Sequence, residues 1–203
     1  NNVPEKDRRT VRERCMQHGG VIRTAQVLRA GVHPRTLYAL RDSGFLERLE
    51  RGLFRLAELP EISNPDLVTV GLKVPSGVVC LISALAYHEL TTQIPHEVSV
   101  ALPRGSEPPR LRFPPIRIYW FSDRAMTNGV EEPVIDGVRV RIFAAEKTIA
   151  DCFKYRNKLG LDVAMEALRL YCKRRRSNLD EVVRYAKIDR VEKIMRPYLE
   201  AVP

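Results

Sequence analysis

Over the first sixty residues, apolar positions recur three and four apart and then switch to alternation. The order of those periods predicts three short helices and a hairpin. Val11, Cys15 and Met16 mark one side of a first helix over residues 7–18. Ala25, Val27 and Leu28 mark a second, with Thr24 as its N-cap. Gly31 stands where that helix must end in a sharp turn, a place suited to positive φ. The third helix has the most complete start. His33 serves as N-cap, and Pro34 takes the first helical position, where its missing N–H costs nothing. Val32 and Leu37 are spaced as the ends of a hydrophobic staple. Leu37 and Leu40 form the buried stripe and Gly44 stops the helix. That leaves Arg35, Thr36, Ala39 and Arg41 on the outer face, with Tyr38 at its border. Residues 45–49 and 53–56 read as hairpin arms closed by a three-residue loop, Glu50, Arg51 and Gly52.

Beyond this the rhythm changes. Pro60 and Pro65 flank a polar stretch that marks a boundary, so residues 1–60 and 61–203 are expected to form separate domains. Residues 66–73 and 78–90 read as helices, the second nearly apolar. Three period-two runs follow, at 97–102, 116–121 and 138–143. Their alternate faces carry Val98, Val100 and Leu102; Ile116, Ile118 and Trp120; and Val138, Val140 and Ile142. Between the first two lies an extended loop, 103–115, with five prolines and Arg104, Arg110 and Arg112. Helical periodicity then covers 144–158, 162–175, 179–186 and 189–202. The fold class expected is α+β: an N-terminal winged helix-turn-helix, then a mixed α/β domain with a small sheet and C-terminal helices.

Charge gives this plan a partner. The chain of 203 residues carries a net charge of +9 and has a pI near 9.6. Residues 1–60 hold twelve Lys/Arg against seven Asp/Glu, a denser positive balance than in the rest. That asymmetry suits double-stranded DNA, with the third helix in the major groove. Arg35 and Thr36, near that helix's N-terminus, are the candidates to read base edges. Arg23, Arg48 and Arg51 are the candidates to anchor phosphates, with Arg55 expected beside them on the hairpin. Thr24, Gln26, His33, Tyr38 and Arg41 complete the expected interface. Because such a domain reads a palindrome as a pair, two copies are expected on the DNA.

Other chemistry is thin. Cys15, Cys80, Cys152 and Cys172 lie far apart with no C-x-x-C pair, which points to buried thiols in a reducing cytoplasm. The longest apolar stretch, 78–87, is too short to cross a bilayer. His88-Glu89 and His96-Glu97 lack the H-E-x-x-H spacing of a zinc site and read as polar helix ends. Glu146, Lys147 and Asp151 could be a carboxylate at a helix start with buried hydrogen bonds to the sheet. No acidic residue is followed two positions on by lysine, the arrangement a restriction-type nuclease would need. Phosphate-binding loops and G-x-S-x-G elbows are missing as well, so neither catalysis nor a metal or other cofactor is expected. Lys173, Arg174, Arg175 and Arg176 close a predicted helix. They are either solvated capping charges or, with Lys154, Arg156 and Lys158, a second nucleic-acid patch.

Both parts together resemble the AbiEi-type antitoxins of type IV, abortive-infection toxin–antitoxin systems. The N-terminal resemblance rests on Gly19-Gly20-Val21-Ile22-Arg23-Thr24-Ala25-Gln26, on Gly31-Val32-His33-Pro34-Arg35-Thr36-Leu37, and on the stretch from Gly44 to Leu56. The second part is similar at Ser83-Ala84-Leu85-Ala86-Tyr87-His88-Glu89-Leu90 and Ala145-Glu146-Lys147-Thr148-Ile149-Ala150-Asp151-Cys152. The resemblance implies a bacterial antitoxin with two functions. Its winged helix would repress its own operon at inverted repeats. Its C-terminal domain would counter a nucleotidyltransferase-like toxin, generally without a stable complex. Two other readings remain open: neutralisation by a direct toxin complex, and a transcription factor with an effector-binding C-terminal domain.

Overall fold

The computed structural model describes residues 3–202. Two units divide it. One runs to Val68 and takes in Val134–Arg139, and the other holds Thr69–Pro133 and the chain from Val140 onward. In the first unit, α1 (Glu5–Gln17) leads into a short strand β1 (Val21–Arg23), then α2 (Thr24–Arg29) and α3 (Pro34–Asp42). The hairpin β2 (Leu46–Glu50) and β3 (Leu53–Leu56) follows. β3 lies between β1 and β2 and is antiparallel to both. The core gathers Cys15, Ile22, Val27, Leu37, Leu40, Phe54 and Leu56 from every one of these elements except β2, whose Leu46 joins them.

This is the helix-turn-helix with wing that the periodicity predicts, with local differences. α2 begins at Thr24 itself, and Arg23 is its N-cap, because the Arg23 N–H is taken by Gln26 Oε1 at 2.7 Å. The Thr24 N–H instead reaches the Gly52 carbonyl at 3.0 Å, tying the helix start to the wing turn. Six residues make under two turns, so only Val27 of α2 is buried while Ala25 and Leu28 face solvent. Met16 is likewise exposed at the end of α1. The wing loop is Arg51 and Gly52 alone. Glu50 pairs with Leu53, and an irregularity between Arg48 and Glu50 absorbs the extra residue. Gly52 has φ +76°, as a two-residue hairpin turn requires.

After α4 (Pro65–Lys73) come β4 (Val78–Val79), α5 (Leu81–Tyr87), β5 (Val98–Pro103), β6 (Ile116–Phe121) and α6 (Asp123–Thr127). Four short strands follow: β7 (Val130–Glu131), β8 (Val134–Ile135), β9 (Val138–Arg139) and β10 (Ile142–Phe143). The chain ends in α7 (Ala145–Lys154), α8 (Arg156–Leu159), α9 (Leu161–Cys172), α10 (Leu179–Ile188) and α11 (Glu192–Ala201). The second unit's sheet has the order β6-β5-β4-β10-β7, with parallel pairs β5/β6 and β4/β10. Its core joins Leu81, Leu85, Phe143, Ile149, Phe153, Leu168 and Val182.

Three expectations change here. Residues 78–90 do not form one helix: the β-branched pair Val78–Val79 enters the sheet, and Leu81, at φ +47°, turns the backbone at the first residue of α5. The alternating run 138–143 is cut in two, with β9 in a ribbon with β8 and β10 in the larger sheet. Alternation continues across the cut because Val138, Val140 and Ile142 are all buried, though not as one strand. In β6 the buried side is Tyr119 and Phe121, leaving Trp120 39% exposed. Helix limits also shift: α9 ends at Cys172, so Lys173 to Arg176 lie in the turn beyond it, and α11 begins only at Glu192.

Candidate nucleic-acid interface

α3 is built as its sequence demands. The His33 ring accepts the Arg35 N–H on Nδ1 at 3.1 Å, Pro34 opens the helix, and Val32 and Leu37 are buried in one cluster. With Leu37 and Leu40 turned inward, Arg35 and Tyr38 project into solvent and Thr36 is half-buried. Arg41 is already engaged. Its guanidinium binds Asp42 at 2.8 and 2.6 Å and lies 5.2 Å from the centre of the Tyr38 ring. The N–H groups of this helix start are taken, Arg35 by the His33 ring and Thr36 by the His33 carbonyl, so it is the exposed Arg35 side chain in the first turn that favours an anionic partner.

The wing adds exposed cations. Arg51 stands at the turn, and the exposed Arg48 donates from Nε to the Glu50 carbonyl at 3.2 Å. Arg23 is exposed on β1, with one guanidinium nitrogen 3.9 Å from Glu50. Thr24 and Gln26 have local tasks, binding the Gly52 carbonyl and capping Arg23. Arg55 does not join this surface. It is buried, paired with Glu47 at 2.9 Å and donating to the Pro60 carbonyl. On the central strand it lies on the face opposite Phe54 and Leu56 and is covered there by Glu47 and the Pro60 carbonyl, which alternation over four residues does not reveal.

The second set of cations falls in separate places. Lys154, at the end of α7, lies 3.9 Å from Asp189. Arg156 donates to the Phe153 carbonyl at 3.0 Å, and the exposed Lys158 lies over the Tyr155 ring at 5.8 Å. Arg174 donates to the His88 carbonyl, stapling the turn after α9 to the end of α5. Lys173, Arg175 and Arg176 are exposed beside it. α9 separates this run from Lys158 by about 18 Å of helix.

Of the acidic and histidine motifs, Lys147 and Asp151 are interior, His88, Glu97 and Glu146 are half-buried, and Glu89 and His96 are exposed. His88 Nε2 is 2.7 Å from the Phe143 carbonyl. Glu146, in the first turn of α7, accepts the Tyr171 hydroxyl. Lys147 and Asp151 are fully buried and bonded to each other, and Lys147 Nζ also lies 3.3 and 3.4 Å from the carboxylate of Asp189. The partner of this pair is therefore the end of α10, not the sheet. Burial pushes the Asp151 carboxyl well above the usual range; Asp189 adds to that and Lys147 opposes it. Burial works to lower the Lys147 ammonium, but the two carboxylates outweigh it and its pKa is raised.

Comparison with known proteins agrees with the winged unit. Residues 9–57, from α1 through the wing, match the family model described as "Transcriptional regulator, AbiEi antitoxin". Among solved structures, the chain is similar to the RV2827C protein from Mycobacterium tuberculosis, with a TM-score of 0.52 and 12% identity. That likeness spans 100% of this chain and 83% of the other, and it concerns the fold. No curated protein matches the chain. Among the described residues, no helix is long and apolar enough to cross a membrane.

Proposed function

We propose that this chain, whose residues 9–57 form a regulator domain of the AbiEi antitoxin family, is a type IV antitoxin that also represses its own operon. The observation that carries the reading is that the family match falls on a winged helix-turn-helix with Arg35 at the start of α3 and Arg51 at the wing turn both exposed. On this reading Arg35 and Thr36 meet base edges in the major groove. Arg23, Arg48 and Arg51 neutralise phosphates on either side. Two copies occupy inverted repeats in the promoter, each placing one α3 in a half-site. Residues 61–203 counter a nucleotidyltransferase-like toxin in the cytoplasm without catalysis of their own.

Co-expression with the toxin encoded beside it tests this directly, growth being scored with the full chain and with residues 61–203. Rescue by both, with no toxin co-purifying, is the expected result. A stable co-purified complex would favour neutralisation by direct binding. Failure of either form to rescue, with promoter binding intact, would leave a DNA-binding regulator and refute the antitoxin half.

A further inference from the structure

β6 is an edge strand of the second unit's sheet. The Val98 N–H bonds the Pro115 carbonyl and the Arg104 N–H bonds the Phe121 carbonyl, so the odd-numbered backbone groups of this segment face β5. The even-numbered ones face outward. Beside that edge lies a groove of about 460 Å³ lined by Arg117, Ile118, Tyr119, Trp120, Tyr155 and Lys158. A second hollow of about 320 Å³ shares Arg117, Tyr119 and Lys158 and reaches Ile94 and His96. Trp120 is the one tryptophan of the chain, and much of it is in solvent.

The charges around these aromatics favour an anion. Lys158 is exposed, with its ammonium over the Tyr155 ring. Arg117 is exposed and binds Glu97 through Nε at 2.6 Å. Arg104 lies near enough for its charge to act on the Tyr155 phenol. Two cations, Arg117 and Lys158, thus line the groove itself, and none of its lining residues is acidic; the Glu97 carboxylate engages Arg117 from the neighbouring hollow. An added peptide strand fits less well, because the outward carbonyl of Trp120 already accepts the Tyr155 hydroxyl at 3.4 Å. A planar ring beside cations on an open groove is the arrangement that holds a stacked base and its phosphates.

We propose that this groove binds single-stranded nucleic acid, with a base stacked on Trp120 and adjoining phosphates drawn to Lys158 and Arg117. The site is independent of the winged helix and of the antitoxin reading. Its occupant is a strand whose bases are splayed, since only unpaired bases present a free face for stacking.

Trp120 provides its own reporter. The full chain is titrated with a twelve-nucleotide oligo(dT), with thymidine 5′-monophosphate and with a duplex of unrelated sequence, following intrinsic fluorescence. The oligonucleotide should quench the emission, and its affinity should fall as salt rises. Lys158→Glu should weaken binding at least tenfold. Trp120→Ala, followed by anisotropy of a labelled oligonucleotide, should weaken it about 5- to 100-fold. Arg51→Ala should leave the quenching unchanged. No quenching, indifference to Lys158→Glu, equal affinity for the mononucleotide, or stronger quenching by duplex would each overturn the proposal.

Discussion

The buried Lys147 has the most at stake of any single side chain. Its ammonium sits among Asp151, Asp189 and the rings of Phe121 and Phe143, at 5.3 and 4.8 Å. Replacing it with methionine keeps most of the volume but strands two carboxylates without a cation in the interior. Lys147→Met should therefore destabilise the chain by about 3–5 kcal/mol at pH 8, measured by urea unfolding. At pH 5 the deficit should shrink, because the Asp151 carboxyl, pushed up by burial, can take up a proton once Lys147 is gone. An equal loss at both pH values would assign the effect to packing. Cys15 makes the opposite test, in the alkaline range. Burial pushes its thiol up to about 12 from an ordinary value of 9.0. Below pH 9 the folded and unfolded thiols both keep their proton. Between 9 and 12 only the folded one does, so stability falls as pH rises through that window. Between pH 8 and 10.5 the wild type should lose on the order of 1–2 kcal/mol more than Cys15→Ala. Equal slopes would refute it. His33, Pro34 and Leu37 were readable in the sequence at this scale because helix-start rules are local. The partners of Lys147 and the burial of Arg55 were not, since Asp189 lies 42 residues away and Arg55 is covered only when Glu47 and the Pro60 carbonyl close over the face of the wing sheet opposite Phe54 and Leu56.

At the scale of elements, the proposed function has α3 read DNA and the wing hold it. Arg35 leaves the first turn of α3, where a guanidinium can meet guanine O6 and N7 together. Arg35→Ala should cost on the order of 1–3 kcal/mol on the specific operator and relax base preference, with little change on random duplex. Arg51 leaves the wing turn, where the proposal gives it phosphates as partners. Arg51→Ala should weaken all duplexes alike and reduce the salt slope by about one. Equal losses on operator and random DNA for Arg35→Ala, measured by titration at several salt concentrations, would sink the division. Long periodic elements such as α7, α9 and α10 were legible because each repeats its apolar stripe over several turns. Two-residue strands were not. β4 hid inside an apolar run that also suits a helix, and β9 and β10 hid inside one alternating run that the fold splits between sheets. β6 is legible as a strand, but which face it buries depends on its being a sheet edge with Tyr119 and Phe121 inward. The groove beside Trp120 follows from that and from Lys158, 38 positions on, so no local pattern announces it.

At the scale of the whole chain, the unit that carries the winged helix is not one continuous stretch. The ribbon β8–β9 belongs to it, although more than sixty residues separate that ribbon from Val68. Gly137 at the ribbon turn has φ +81°, and a Cβ there would stand 2.7 Å from the Gly19 carbonyl oxygen and 3.0 Å from both Val21 methyls. Asp136 accepts both the backbone N–H and the hydroxyl of Ser63, at 3.0 and 2.9 Å. The ribbon thus rests on the turn that introduces β1, the strand completing the wing sheet. No periodicity could reveal this, because it depends on contact between glycines far apart in sequence. Gly137→Ala must strain a positive φ and push against backbone that cannot yield. It should destabilise the winged unit by about 1–3 kcal/mol. A fragment ending at residue 68 lacks the ribbon altogether and should be at least as much weakened. The readout is hydrogen exchange at Val21, Ile22 and Arg23 in the full chain, with Trp120 emission reporting the second unit. Faster exchange in β1 with unchanged Trp120 unfolding is the expected result. Exchange unchanged by Gly137→Ala would mean that the ribbon lies beside the winged unit without supporting it.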